Sequence, residues 1–281
     1  MSVLVEASLV GRFIRQPGEA DHKYSRGVVG FDTGSASYPG AALIGVEAAL
    51  RTGVGMVRYL GPAEVGSLVL LKHPEVVLAE GSLDALVVGS GIPDPADEAT
   101  RSRLLESATL RLPTVLDAGG LAYAESFGPY TVLTPHSGEL EALASRLGCS
   151  GSDDLERARS VSARLHQHVL VKGSITRVVS PDGAVLELPR ATGWLATAGT
   201  GDALAGIMGA LFAGNAAQLA ADPALLPQAA AAAAMIHQIA AARASVVVAG
   251  DHADSAGGPI TVGDLCHEIS WVISDVLASA D

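Results

Sequence analysis

Residues Ala196–Leu211 read ATAGTGDALAGIMGAL, a small polar loop that passes directly into an apolar helix pattern. Leu204, Ile207, Met208 and Leu211 fall at i, i+3, i+4 and i+7, the period of one helix face. A glycine-rich loop that opens a helix leaves backbone N–H groups unpaired, and with the helix dipole these attract anions. Gly199, Thr200 and Gly201 are therefore a candidate anion hole, in which Gly201 lets the chain approach oxygen without an intervening Cβ. Ala203, Gly206 and Ala210 leave a smooth face for close packing on a sheet. Asp202 is the odd member, because a carboxylate repels phosphate. Beside a bound phosphate it should face a proton donor or a cation, as a general base does. The competing reading makes Asp202 and Thr200 ordinary helix caps. This stretch alone leaves both open.

Working outward, the chain alternates short β-rich runs with helical patterns. Strands are expected at Val28–Phe31, Met56–Leu60, Val76–Leu78, Asp84–Val88, Thr114–Leu116, Thr131–Leu133 and His168–Val171. Ile175–Ser180 and Ala184–Leu188 flank Pro181-Asp182-Gly183, a hairpin signal. Helices are expected at Ala41–Arg51, Ala96–Leu110, around Leu140–Leu147, around Leu155–Leu165, at Ala229–Ala249 and at Thr261–Leu277. Such alternation predicts a mostly parallel sheet covered on both faces. Residues 1–22 read as a lead-in arm, and with no linker or charge block residues 1–281 read as one domain. Gly89-Ser90-Gly91, Asp117-Ala118-Gly119-Gly120, Thr134–Glu139 and Lys172-Gly173-Ser174 each follow an expected strand. They should converge with the GTGD loop at the carboxyl edge, where open α/β sheets bind ligands.

Composition narrows the partners. A net charge of −12 argues against nucleic-acid and anionic-membrane surfaces, so an anionic ligand needs local compensation. Cys149 and Cys266 are too few for a disulfide framework, which points to a reducing, cytoplasmic setting. The N-terminus lacks the pattern of a secretory signal. The alanine-rich run from Ala229 is broken by His237, Gln238 and Arg243 and reads as a buried helix rather than a membrane span. None of Lys23, Lys72 and Lys172 completes a Walker-type phosphate loop, and no third glycine completes a dinucleotide fingerprint. His166 and His168 have no partners that would complete a metal set, so no metal site is assigned.

At this point the motifs resemble a known family. GTGDALAG resembles the ribokinase-like superfamily, and the finer pattern is similar to the NAD(P)H-hydrate dehydratases. HKYSRG (His22–Gly27), GSASYPGAALIG (Gly34–Gly45), AALRTGVGMV (Ala48–Val57) and HPE (His73–Glu75) carry the likeness in the first half. VLDAGGL (Val115–Leu121), LTPHSGEL (Leu133–Leu140), VLVKGSITRV (Val169–Val178) and WLATAGTGDALAG (Trp194–Gly206) carry it in the second. One departure is Gly119-Gly120, where the family's DADAL-type motif has an acidic residue and alanine.

The resemblance implies a three-layer α/β/α fold of ribokinase type. It also implies a lyase that repairs the S form of hydrated NADH or NADPH. The ring hydroxyl would be phosphorylated from ADP, or from ATP, and phosphate then eliminated. Asp202 would be the base, and Ala41, Gly91, His136 and Asp202 would contact the hydrated dinucleotide. Lys172, Gly173, Ser174, Ile175, Thr176 and Gly201 would hold the nucleotide, with Mg²⁺ on its phosphates. ADP as the nucleotide, a homotetramer, and an epimerase supplied by a separate chain are further expectations. Two alternatives stay open: a vitamin-precursor or sugar kinase of the same superfamily, and a non-catalytic nucleotide-binding regulator.

Overall fold

A computed structural model describes residues 2–249 and 257–279, with the side chains of residues 247–249 left aside. The strands are β1 (Ser2–Leu4), β2 (Val28–Asp32), β3 (Met56–Tyr59), β4 (Ala85–Val88), β5 (Thr114–Leu116), β6 (Thr131–Leu133), β7 (His168–Val171), β8 (Arg177–Val179) and β9 (Val185–Glu187). They form a nine-stranded sheet in the order β1-β9-β8-β7-β6-β5-β4-β2-β3. Among these strands only β8 runs against the rest, forming antiparallel pairs with β7 and β9.

The strands are apolar along both faces because both faces are covered. Val87, Val115, Val132, Leu170 and Val178 enter one core, while Leu86, Val88, Leu116, Leu133, Val169 and Val179 enter the other. The helices are α1 (Ser8–Gly11), α2 (Pro39–Thr52), α3 (Ala63–Lys72), α4 (Glu98–Thr109), α5 (Ser137–Arg146), α6 (Asp154–Leu165), α7 (Thr200–Gly214), α8 (Ala216–Ala221), α9 (Leu226–Ala249) and α10 (Val262–Ala278). Helices α2, α7, α9 and α10 pack together over the first face. The other face carries α4, α5, α6 and a 3-10 helix at Ala118–Ser126. Three layers result.

Most of the expected elements are present, and the differences have local causes. The arm is not merely a lead-in, since Ser2–Leu4 adds a parallel edge strand beside β9. Val76–Leu78 forms no strand, and only an isolated bridge joins Val77 to Arg58. Helix α3, not among the expected helices, completes the alternation between β3 and β4, and its Gly66 packs against the Tyr59 ring. The small residues of α7 divide their work differently from expectation. A Cβ on Gly206 would meet the Gly45 carbonyl of α2 at 2.1 Å, so this face packs helix on helix. Gly209 is the residue that meets the sheet, with Val87 only 2.3 Å from its notional Cβ.

Among the described residues one helix, Pro223–Val246, is long and apolar enough to cross a membrane. Its alanines Ala229–Ala234 are buried against the first core, which accounts for that apolarity without a bilayer.

Candidate active site

Gly89-Ser90-Gly91, Asp117–Gly120, Thr134–Glu139 and Lys172-Gly173-Ser174 follow β4, β5, β6 and β7 at one edge of the sheet, as the parallel registers require. They are tied together by Asp117, which is 3% exposed. Its carboxylate accepts from Ser90 Oγ at 3.0 Å, Thr134 Oγ1 at 2.8 Å and Lys172 Nζ at 2.7 Å. Lys172 also lies 3.7 Å from the Glu139 carboxylate. Burial disfavours both charges, yet the pair holds: the Asp117 carboxyl stays below its usual range and the Lys172 ammonium above its own.

The ammonium reaches the start of α7, where a Cβ on Gly201 would stand 3.4 Å from Lys172 Nζ. This helix begins without a side-chain cap. Its N-cap is Gly199 at φ 90°, a left-handed conformation that favours glycine. Thr200 instead donates its hydroxyl to the Leu195 and Thr197 carbonyls, each at 2.9 Å. Among the described residues the amides of Gly201 and Asp202 meet no acceptor, so these donors remain for a ligand. Asp202 is thus neither cap nor capped. Its carboxyl is pushed up to about 6, first by burial and then by the charges of Asp117 and Glu139, against the pull of Lys172.

A cavity of about 530 Å³ opens beside this point. His136, Lys172, Gly173, Ser174, Thr176, Thr200 and Gly201 line it, together with Leu204, Ala234, His237 and Gln238. Of the expected nucleotide residues only Ile175 is not part of the lining. His136 caps α5 in a mutual arrangement with Glu139, and its ring is 60% exposed. Ala41 and Gly91 form a separate patch, where a Cβ on Gly91 would stand 2.5 Å from that of Ala41. One turn beyond Ala41, Gly45 lies against the Asp202 carbonyl. The main chain of Asp202 therefore touches α2, the helix that carries Ala41, next to Gly201 in the cavity lining.

The departure at Gly119 has a steric basis. A Cβ there would meet the Ile92 carbonyl at 2.1 Å, so this loop has no room for an acidic side chain. Ala118 just before it sits at φ 47°, a left-handed conformation rare for alanine.

A family model described as NAD(P)H-hydrate dehydratase matches residues 29–255. The chain belongs to the NAD(P)H-hydrate dehydratase family. Over 209 residues it is 39% identical to the bifunctional NAD(P)H-hydrate repair enzyme of Mycobacterium tuberculosis, covering 70% of this chain and 43% of that one. It spans less than half the length of that relative. Over 216 residues it is 32% identical to the ADP-dependent (S)-NAD(P)H-hydrate dehydratase of Xanthomonas campestris, covering 68% and 74%. Among solved structures, the ADP/ATP-dependent NAD(P)H-hydrate dehydratase of Bacillus subtilis, co-crystallised with ATP/Mg²⁺, superposes with a TM-score of 0.74. The two are 26% identical over 98% of both chains. A ribokinase-like superfamily protein of Enterococcus faecalis shares the fold at a TM-score of 0.77, with 17% identity over 97% and 95%. The fold is thus the ribokinase-like one that this dehydratase family uses.

Sequence reasoning missed four members of the site. Asp117 was legible only as part of a turn motif, and Glu139 only as part of LTPHSGEL. His237 and Gln238 stood out merely as polar breaks in an alanine-rich helix, which was the signal available.

Proposed function

We propose that this chain dehydrates the S form of hydrated NADH or NADPH, using ADP and releasing AMP and phosphate. The observation that carries the reading is Asp202: a desolvated carboxylate at an uncapped helix start, next to Gly201 in a cavity lined by Lys172 and against α2, which carries Ala41.

The nucleotide occupies the 530 Å³ cavity, with its terminal phosphate at the free amides of α7 and the Lys172 ammonium. The hydrated ring lies against Ala41, Gly91 and His136. Asp202 accepts the proton of the ring hydroxyl as that oxygen attacks the β-phosphorus of ADP and the bond to AMP breaks. Phosphate, a far better leaving group than hydroxide, then departs as the neighbouring C–H bond supplies the electron pair of the restored double bond and its proton passes to the departing phosphate. The amides of Gly201 and Asp202 stabilise the migrating phosphoryl charge.

Among the described residues no cluster of three His, Cys, Asp or Glu side chains is placed to hold a metal. Asp117 is committed to Lys172, Ser90 and Thr134. This donor set suits a Mg²⁺ carried on nucleotide phosphates, which retains several waters and needs few protein ligands. When bound, it would neutralise phosphate charge that an acidic chain otherwise repels.

ATP as the nucleotide is the second reading, supported by the Bacillus subtilis neighbour's crystals with ATP/Mg²⁺. A cytoplasmic setting is supported by the two free cysteines. A homotetramer is supported by apolar side chains left outside, Leu71 on α3 and Trp271 on α10 among them, and light scattering measures it. The single-domain reading is supported by one sheet that takes in all nine described strands.

The test is incubation with hydrated NADH, Mg²⁺ and either ADP or ATP, following the return of the nicotinamide absorbance. The expected result is recovery with AMP and phosphate in equal amounts. Turnover with ATP and none with ADP would reverse the nucleotide. A stable phosphorylated product would instead mark a small-molecule kinase, and nucleotide binding without turnover a regulator.

A further inference from the structure

The Lys172 ammonium stands in the field of three carboxylates, Asp117, Glu139 and Asp202. It donates to Asp117 at 2.7 Å and lies 3.7 Å from Glu139, and among the described residues it forms no ion pair with Asp202. Yet it reaches the first turn of the helix that carries Asp202, 3.4 Å from the notional Cβ of Gly201. A lysine is a point charge on a flexible stem, so the carboxylate that holds it sets where the charge stands. Here that carboxylate is Asp117.

Loop register does not call for a buried charge at this point. The main chain already joins the loops: the amides of Asp117 and Thr134 donate to the Val88 and Leu116 carbonyls, each at 3.0 Å. The Lys172 amide donates to the Pro135 carbonyl at 2.9 Å. A buried ion pair also gains little stability over apolar side chains of similar volume, because desolvation offsets the attraction. What the carboxylate does fix is its own direction. Thr134 Oγ1 and Lys172 Nζ both donate to Oδ1, and Ser90 Oγ donates to Oδ2. Turning the carboxylate away from Lys172 would break the bonds to both buried hydroxyls.

We propose that Asp117 is a positioning residue that holds the Lys172 ammonium off Asp202, so that the base stays unpaired while the cation faces the free amides of α7. The inference rests on Asp202 being the base. Released from Asp117, the ammonium has Glu139 and Asp202 left to pair with. Pairing with Asp202 would stabilise that carboxylate and weaken it as a base. It would also draw the cation from the place where phosphoryl charge collects. His237, the further titratable group that feels the ammonium, is pushed down to about 4 by burial, so it is neutral and does not compete. With Asp117 beside it the ammonium keeps its proton beyond the usual lysine range. It acts as a fixed charge and not as a proton shuttle.

Two readouts on the full chain test this. One is carboxyl NMR titration of Asp202 without ligand, its signal assigned by its loss in Asp202→Asn. The other is the pH profile of turnover with hydrated NADH and ADP. In Asp117→Asn both the titration and the acid limb of turnover should move down from about 6 by about 1 pH unit. Plateau turnover should fall roughly 10-fold to 100-fold, the effect of a charge misplaced by about 1 Å. Lys172→Met should move both readouts upward, because attraction is lost while Asp117 and Glu139 still repel. Direct repulsion by Asp117 acts in either background, but pairing needs the ammonium. The downward shift caused by Asp117→Asn should therefore be larger with Lys172 present than in Lys172→Met, where it should cost less than about 3-fold further turnover. The double variant buries neither charge of the pair, so its turnover carries the test if Asp117→Asn alone does not fold. A shift no larger with Lys172 than without it, or a greater further loss of turnover, would overturn the assignment. A parent without turnover would refute the dehydratase reading, while the ligand-free titration still tests the positioning by itself.

Discussion

Two helix starts lie side by side in this molecule, α7 and α10. The notional Cβ of Gly199, N-cap of α7, stands 3.2 Å from Val262 Cγ2 in the first turn of α10. Each helix carries an aspartate at the third helical position, Asp202 in α7 and Asp264 in α10. The Asp264 carboxylate accepts from the Thr261 amide at 2.8 Å, while the Thr261 hydroxyl accepts from the Asp264 amide at 3.2 Å. This reciprocal cap holds the Asp264 carboxyl below its usual range. In α7 the N-cap Gly199 has no side chain to accept from the Asp202 amide, so the reciprocal cap is not formed. Buried instead beside Asp117 and Glu139, Asp202 is pushed up to about 6. The same residue type at the same helical position is a structural cap in one case and an uncapped, desolvated carboxyl, the base we propose, in the other. The difference lies in a single preceding residue and in what surrounds the helix.

The sharpest break of this contrast is Asp202→Asn. Loss of the base is expected to lower turnover by roughly 10²–10⁴-fold, with nucleotide binding retained or tightened as a negative charge near phosphate disappears. Near-normal turnover would remove Asp202 from the chemistry.

Gly199→Ala gives α7 the side chain its N-cap lacks. At φ 90°, with Ile44 Cδ1 2.8 Å from the new Cβ, the loop must shift and the free amides with it. About a 10-fold or greater loss of turnover is expected, with a melting temperature lowered by strain of about 1–2 kcal/mol. Stopped-flow rates and calorimetry read the two effects separately.

The pH dependence distinguishes the two aspartates by sign. Asp202 is raised in the folded state, so the fold binds its proton more tightly than the unfolded chain does. Stability is lost as pH rises from about 4 through about 6. Asp202→Asn should therefore melt higher than the parent at pH 8, a gain that vanishes below pH 4. Turnover of the parent should rise tenfold per pH unit below about 6 and level off above it. Asp264 is depressed, so its contribution is present at neutral pH and is lost as pH falls through its folded value. Melting curves of Asp264→Asn should accordingly lie below the parent at pH 7 and meet it in acid.

The smallest effect belongs to Thr261→Ala. Removing this cap should cost about 1 kcal/mol in chemical denaturation and leave turnover unchanged. A comparable loss of turnover would mean that the start of α10 also serves the site.

Much of this was legible locally. The 3.6-residue period gave α7, the β-rich runs gave β4 to β7, and Pro181-Asp182-Gly183 gave the β8–β9 hairpin. In a parallel sheet strand direction fixes which ends coincide, so the four polar motifs could be placed at one edge before any coordinates. The edge strand β1 could not be read, because its three residues gain meaning only from pairing with Val185–Glu187, distant in sequence. Nor could the role of Asp117 in tying the four loops together, since a turn aspartate has no distinctive period. Residue types along the chain determined the family, the layer order and the candidate loop. Tertiary packing alone determined which charges share a buried space, because desolvation and Coulomb energies depend on distances that the chain order does not contain.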